Sequence, residues 1–145
     1  MMLYFAYGMN TNRLGMTNRC PEARPMGPAT LLGHRFRFAG PADVQVDRRH
    51  DVQGVLWEIT DRCLASLDQL EGYPAFYNRK WAQVQHNTQV VNAMVYYMQP
   101  GHRNGLPGQG YWHCVLEGYR DFGLSTAQLN SALPKTHNYS LCTFG

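Results

Sequence analysis

The sequence predicts an α+β domain built around a curved or closed antiparallel sheet. Three observations point there. Gly (14) and Pro (8) make the 145-residue chain turn-rich, which suits many short strands. Five or six segments carry strand patterning. The helix-like segments number three or four and are not regularly interleaved with strands, which argues against a doubly wound sheet. The length is that of one domain, spanning 1–145. A chain this size buries roughly two-thirds of its unfolded surface, so it needs no disulfide or metal staple to fold.

Residues 3–7 are a short apolar and aromatic run ended by Gly8, which reads as a buried strand. Over 34–38 the two Phe face one side and the two Arg the other, as a half-buried strand requires. Segments 52–59, 80–85 and 90–98 also read as strands. The last carries large side chains on both faces, so it is expected to be central or to line a cavity. Thr60 is placed to cap a helix over 61–70, with Asp61 favourable in its first turn and Gly72 as its stop. A second helix is expected over 111–117, ended by Gly118. Ser125 and Gln128 have capping-box spacing for a third over 126–133, halted by Pro134. Asn10 or Thr11 is expected to cap a short fourth.

Composition removes several function classes. Lys and Arg (13) exceed Asp and Glu (10) by three, too small an excess for a nucleic-acid surface. The Arg48-Arg49-His50 run, with Arg35 and Arg37 nearby, reads as a solvated loop. No stretch approaches the ~18 apolar residues of a membrane span. The run from Met1 to Gly8 lacks the features of a secretion signal, so a cytoplasmic location is expected. Cys20, Cys63, Cys114 and Cys142 are scattered without metal-ligand spacing, and four reduced thiols are expected. The Asn138-Tyr139-Ser140 sequon is read as chance.

The usual nucleophile arrangements are missing. None of Ser66, Ser125, Ser131 and Ser140 sits in a G-x-S-x-G elbow. His113 and Cys114 are adjacent, so they point in different directions and make a poor dyad. There is no phosphate-binding glycine motif, and none of the six His pairs with another at helical metal spacing.

Two segments remain. Tyr4-Phe5-Ala6-Tyr7-Gly8-Met9-Asn10 is an aromatic strand breaking at a glycine into a helix start, and such a loop offers backbone N–H groups to a carboxylate. In the segment 67–77, Glu71 falls in the last turn of the expected helix, where the macrodipole disfavours a carboxylate. Asp68 adds a like charge one turn earlier, and Tyr73, Phe76 and Tyr77 are placed to wall Glu71 off from water. All three influences push a carboxyl pKa upward, as proton transfer near neutral pH demands.

In order and spacing, these motifs resemble the gamma-glutamylcyclotransferase family: Tyr-Gly-x-Asn at the first strand, then Gly54-Val55-Leu56-Trp57-Glu58-Ile59, then Leu67-Asp68-x-x-Glu71-Gly72 and Tyr77-x-Arg79. The resemblance runs from about Leu3 to Leu133 and extends to Tyr96 and Tyr111. It implies a small mixed, mostly antiparallel β-barrel of five to seven strands with three or four flanking helices. It implies release of 5-oxoproline from a gamma-glutamyl amide by attack of the substrate's own α-amine, an acyltransferase or cyclising lyase reaction. Glu71 matches the catalytic acid/base. Tyr7, Gly8, Met9 and Asn10 match the loop that holds the glutamyl head group, and Tyr4, Tyr77, Tyr96 and Tyr111 match pocket positions. No cofactor or metal is implied, and the partner is a small gamma-glutamyl molecule, with no nucleic acid and no membrane. Met9 stands where the family loop usually has Ser, and it favours the alternative of a non-catalytic binding or sensor protein on the same scaffold. The leaving amine and the oligomeric state stay open. The Gly- and Pro-rich segment 99–110 is expected at the pocket rim, as a lid.

Overall fold

The structure is a computed structural model that describes residues 1–135. The sequon at 138–140 and Cys142 lie outside the described residues. In chain order the elements are β1 (Met2–Ala6), a 3-10 turn (Met9–Thr11), α1 (Arg13–Arg19), β2 (Arg24–Leu31), β3 (His34–Phe38), β4 (Ala42–Val46), β5 (Val52–Ile59), α2 (Asp61–Glu71), β6 (Tyr77–His86), β7 (Gln89–Met98), α3 (Gln109–Asp121) and α4 (Ala127–Ser131).

Five strands close a barrel in the order β1-β5-β2-β6-β7. Every pairing is antiparallel except the closing one, where β1 meets β7 in parallel at Tyr4 and Met94. The expected fold is therefore the observed one. The β3–β4 hairpin forms a separate two-stranded sheet.

β7 separates two cores, which explains why both of its faces are large. Ala93 and Val95 pack with the hairpin, α3 and α4, including fully buried Trp112, Tyr119 and Leu129. Met94, Tyr96 and Met98 pack with Met16 of α1 and Leu67 of α2. Each large apolar side chain buried this completely contributes about 1.5–3 kcal/mol.

Glycine appears where backbone must approach backbone. A Cβ on Gly54 of β5 would strike the carbonyl oxygen of Ala6 and the ring of Phe5, and one on Gly118 of α3 would strike Thr11 and the backbone of Asn12. The second contact seats α3 on the 3-10 turn, and it corrects the expectation that Gly118 ends the helix. The glycine allows close packing, and α3 continues through it to Asp121.

Other boundaries differ for equally local reasons. Thr60 does cap α2, its Oγ1 accepting from the Cys63 N–H at 3.2 Å, and Gly72 ends it in the left-handed conformation at φ 65°. The cap after the first strand is Asn12, which accepts from the Gly15 N–H at 3.0 Å, not Asn10 or Thr11. The capping box at Ser125 does not form. Gln128 instead reaches Gln53 and the Tyr119 hydroxyl, tying α4 to β5 and α3.

β2 carries no strand signal because Pro25, Gly27 and Pro28 interrupt it. It pairs with β6 only at Thr30 and Leu31, so both prolines lie where no neighbour on that side needs their missing N–H. The cysteine expectation is also corrected. Cys20, closing α1, and Cys63, in the first turn of α2, form a disulfide, with Cα atoms 5.1 Å apart, while Cys114 is free. Packing of α1 on α2 brings the pair together, and nothing in their sequence spacing signals it. Among the described residues no helix is long and apolar enough to cross a membrane.

Candidate active site

A cavity of about 270 Å³ opens beside the end of β1. β1 supplies Tyr4, and Tyr7 and Gly8 follow it into the 3-10 turn with Met9 and Asn10. α2 supplies Glu71, its last residue. β6, β7 and α3 supply Tyr77, Tyr96 and Tyr111. The structure thus gathers all of the sequence-predicted site residues around one space. It adds Phe5, Pro41, Ala42 and Leu70, and it puts Phe76 in the lining as the sequence leads one to expect.

Gly8 is required by the geometry. A Cβ there would come within 2.9 Å of the Tyr111 hydroxyl. Met9, in place of a hydroxyl residue, turns its side chain onto the apolar core.

Glu71 is partly accessible to water, yet burial raises its pKa from an ordinary 4.5 to about 7, with the positive charge of Arg19 pulling the other way. The expected contribution of Asp68 is corrected here. Asp68 is held by Arg79, Nε to Oδ1 at 3.0 Å, and by the Tyr96 hydroxyl at 2.6 Å, so its charge is compensated before it reaches Glu71. Tyr73 is likewise not part of the wall. Its ring lies under the Arg79 guanidinium, 4.1 Å away, while Phe76 and Tyr77 do face the cavity.

Asn10, buried, joins the loop to the carboxylate. Its Nδ2 donates to the Tyr4 hydroxyl at 3.0 Å and lies 3.4 Å from Glu71 Oε1. Its Oδ1 accepts from Arg19 at 2.9 Å. Arg19 carries no motif and was not singled out in the sequence. Its position at the end of α1 only acquires meaning once α1 folds back on the loop.

The tyrosines divide by where their protons go. Tyr7 donates to the Tyr96 carbonyl (2.8 Å), Tyr77 to the Ala42 carbonyl (2.6 Å), and Tyr96 to Asp68 (2.6 Å). Those three are committed to holding the frame. Tyr4 accepts from Asn10, and Tyr111 accepts from the Ala42 N–H at 3.0 Å and meets the backbone of Met9. A hydroxyl that accepts keeps its own proton to give. Burial drives both of these phenols well above their ordinary pKa, so they remain protonated donors at neutral pH.

The 99–110 segment does not line the cavity, contrary to expectation. Arg37 holds it down through the His102 carbonyl (2.8 Å) and Asn104 (3.1 Å), and Gly105 bonds Phe38 and Gly40 in the hairpin. It meets the site at Phe76, whose carbonyl accepts from the Gln99 N–H at 3.0 Å and whose ring has His102 packed edge-on behind it at 4.7 Å. Among the described residues no cluster of three or more His, Cys, Asp or Glu is placed to hold a metal.

Comparison with known proteins agrees with this architecture. Residues 4–114 match the family described as gamma-glutamyl cyclotransferase, AIG2-like. A solved structure of a gamma-glutamyl cyclotransferase superposes with TM-score 0.82 at 23% identity, over 96% of this chain and 90% of that one. An uncharacterized protein from Homo sapiens gives TM-score 0.82 at 23% identity, over 95% and 91%. YkqA from Bacillus subtilis gives TM-score 0.78 at 25% identity, over 92% of this chain and 55% of that one. No curated protein matches the sequence. With the motif order, the closed mixed barrel and a match over most of its length in agreement, the chain belongs to the gamma-glutamyl cyclotransferase, AIG2-like family.

Proposed function

We propose that the protein releases 5-oxoproline from a gamma-glutamyl amide. The observation that carries this reading is Glu71, a carboxyl of pKa about 7 in the wall of a cavity otherwise lined by aromatic, apolar and neutral polar groups. The nucleophile is the substrate's own α-amine, so the protein needs no nucleophile of its own. A well-oriented intramolecular attack reaches effective molarities of about 10⁵ M or more.

The α-ammonium must first lose a proton. Raising the acceptor carboxyl from an ordinary 4.5 to about 7 lowers the cost of taking that proton by about 3 kcal/mol. The attacking nitrogen sheds a second proton as the ring closes, and Glu71 passes both protons in turn to the departing nitrogen, which leaves as its ammonium. The ring C–N bond forms, the amide C–N bond breaks, and no water is consumed. The negative charge that builds on the γ-carbonyl oxygen is met by the free hydroxyl protons of Tyr111 and Tyr4. The Asn10 N–H has no carbonyl within the 3-10 turn and receives the glutamyl carboxylate, while the Met9 N–H is held by the Tyr111 hydroxyl. Because this donor is backbone, Met9 in place of serine leaves it intact.

Incubation with gamma-glutamyl amides and measurement of 5-oxoproline is the test. Release by the wild type, lowered about 10²–10⁴-fold in Glu71→Gln at equal folding, is the expected result. Binding of a gamma-glutamyl amide without release, in wild type and variant alike, would mean a sensor on the same scaffold.

A further inference from the structure

Resting on that reading, we propose that the buried Arg37–Asp43 ion pair is a positioning device for Tyr111, holding the Ala42 N–H where it leaves the Tyr111 hydroxyl proton free for the oxyanion. Neither residue of the pair lines the cavity. Their influence passes through one backbone unit. The Ala42 N–H donates to the Tyr111 hydroxyl at 3.0 Å, and the Ala42 carbonyl accepts from the Tyr77 hydroxyl at 2.6 Å. The Met9 N–H is a second donor to the Tyr111 oxygen. A phenol oxygen that accepts twice has only its proton left to give, and the two donors fix where that proton points.

Asp43 follows Ala42 in β4 and anchors it. Its Oδ1 accepts from the Met98 N–H at 2.8 Å, which ties β4 to the end of β7. Its Oδ2 takes Arg37 Nε at 2.9 Å and Nη2 at 2.8 Å, which ties β4 to β3. The remaining nitrogen of Arg37, Nη1, reaches the His102 carbonyl at 2.8 Å and Asn104 Oδ1 at 3.1 Å. The 99–110 segment, which stays outside the cavity, is thereby joined to the backbone unit that sets Tyr111. Both charged side chains are nearly inaccessible, 11% for Arg37 and 2% for Asp43. An apolar pair of similar volume often serves stability as well as a buried ion pair does. It could not hold β3, β4, β7 and the His102 carbonyl in register together. A guanidinium and a carboxylate can, because their donors and acceptors lie in fixed planes. Small displacements matter here, since a shift of about 1 Å transmitted from a distance can cost about 10²-fold in rate.

The test combines turnover with amide hydrogen exchange at Ala42. Arg37→Met with Asp43→Asn removes the ion pair without leaving a buried charge unpaired, and the Asn keeps an acceptor for the Met98 N–H. The expected result is a kcat for 5-oxoproline release lowered about 10–10²-fold, with KM little changed and faster exchange at Ala42. In a Tyr111→Phe background the same double substitution costs no further kcat, because the group it positions is already gone. A merely structural role would lower kcat by the same factor in both backgrounds. Arg37→Lys keeps a charge for Asp43 but cannot also span to His102, and it is expected to act in the same direction, more weakly, should the double variant fold poorly. An unchanged kcat, or equal losses with and without the Tyr111 hydroxyl, overturns the positioning while leaving 5-oxoproline release standing. No release by the wild type overturns the cyclotransferase reading, and Ala42 exchange alone then decides the positioning: faster exchange supports it, unchanged exchange overturns it.

Discussion

Arg19 donates to the Oδ1 of Asn10 at 2.9 Å, and that bond decides which end of the Asn10 amide faces the Glu71 carboxyl. With Oδ1 occupied, the NH₂ end turns to Tyr4 and Glu71. The same guanidinium lowers the Glu71 pKa against the upward push of burial. One residue outside the cavity lining thus fixes the Asn10 amide and tempers the proton affinity that burial gives Glu71.

Replacing Arg19 by Met removes both effects. The Glu71 carboxyl then holds its proton to higher pH, so the rising limb of kcat/KM, expected near pH 7 in the wild type, should move upward. Arg19→Lys keeps the charge and shifts the limb less. A pH–rate profile that does not move in Arg19→Met would show that the charge does not govern Glu71.

Glu71 also makes stability depend on pH. Its folded pKa of about 7 lies above the ordinary 4.5 of the unfolded chain, so between those values the folded state holds more protons. Stability is greatest at low pH on this account and falls as pH rises through that interval, by about 1.4 kcal/mol per pH unit, a loss that is complete above about 7. Glu71→Gln cannot ionise, so urea titrations at pH 5 and pH 8 should show wild type falling relative to the variant.

The division among the tyrosines gives contrasting outcomes. Tyr111→Phe loses a hydroxyl whose proton is free to meet the oxyanion, and kcat should drop by about 10²–10³-fold. Tyr7→Phe loses a bond to the Tyr96 carbonyl, costing about 0.5–1.5 kcal/mol of stability with a much smaller change in kcat. Similar kcat losses in both would refute the assignment of roles.

Gly118→Ala places a Cβ against Thr11 and within 2.6 Å of the Asn12 nitrogen, both backbone-anchored neighbours. Overpacking of this kind costs about 1–3 kcal/mol. A lowered Tm together with weakened substrate binding is expected, because the shifted 3-10 turn carries Met9 and Asn10. An unchanged Tm would show that the two helices are free to part.

Much of this was written locally. Thr60, Gly72 and the apolar spacing between them place Glu71 at a helix end within a dozen residues, and alternation in 34–38 marks a strand, because capping and pleating act over a few neighbours. The aromatic strand and its glycine turn are legible for the same reason. What the chain could not announce is who arrives from far away. β2 hides its strand character behind two prolines that only the barrel edge tolerates. Arg19 and the Cys20–Cys63 pair gain partners only when α1 packs on its neighbours, and Asp68 loses its influence on Glu71 only because Arg79 comes across from β6. Even Ala42, without a functional side chain, fixes Tyr77 and Tyr111 through its own carbonyl and N–H. Local sequence determined which groups could do chemistry, whereas burial and counter-charges, which set the proton affinity of Glu71 and free two hydroxyls for use, arise from contacts between residues distant in the chain and were decided by barrel closure.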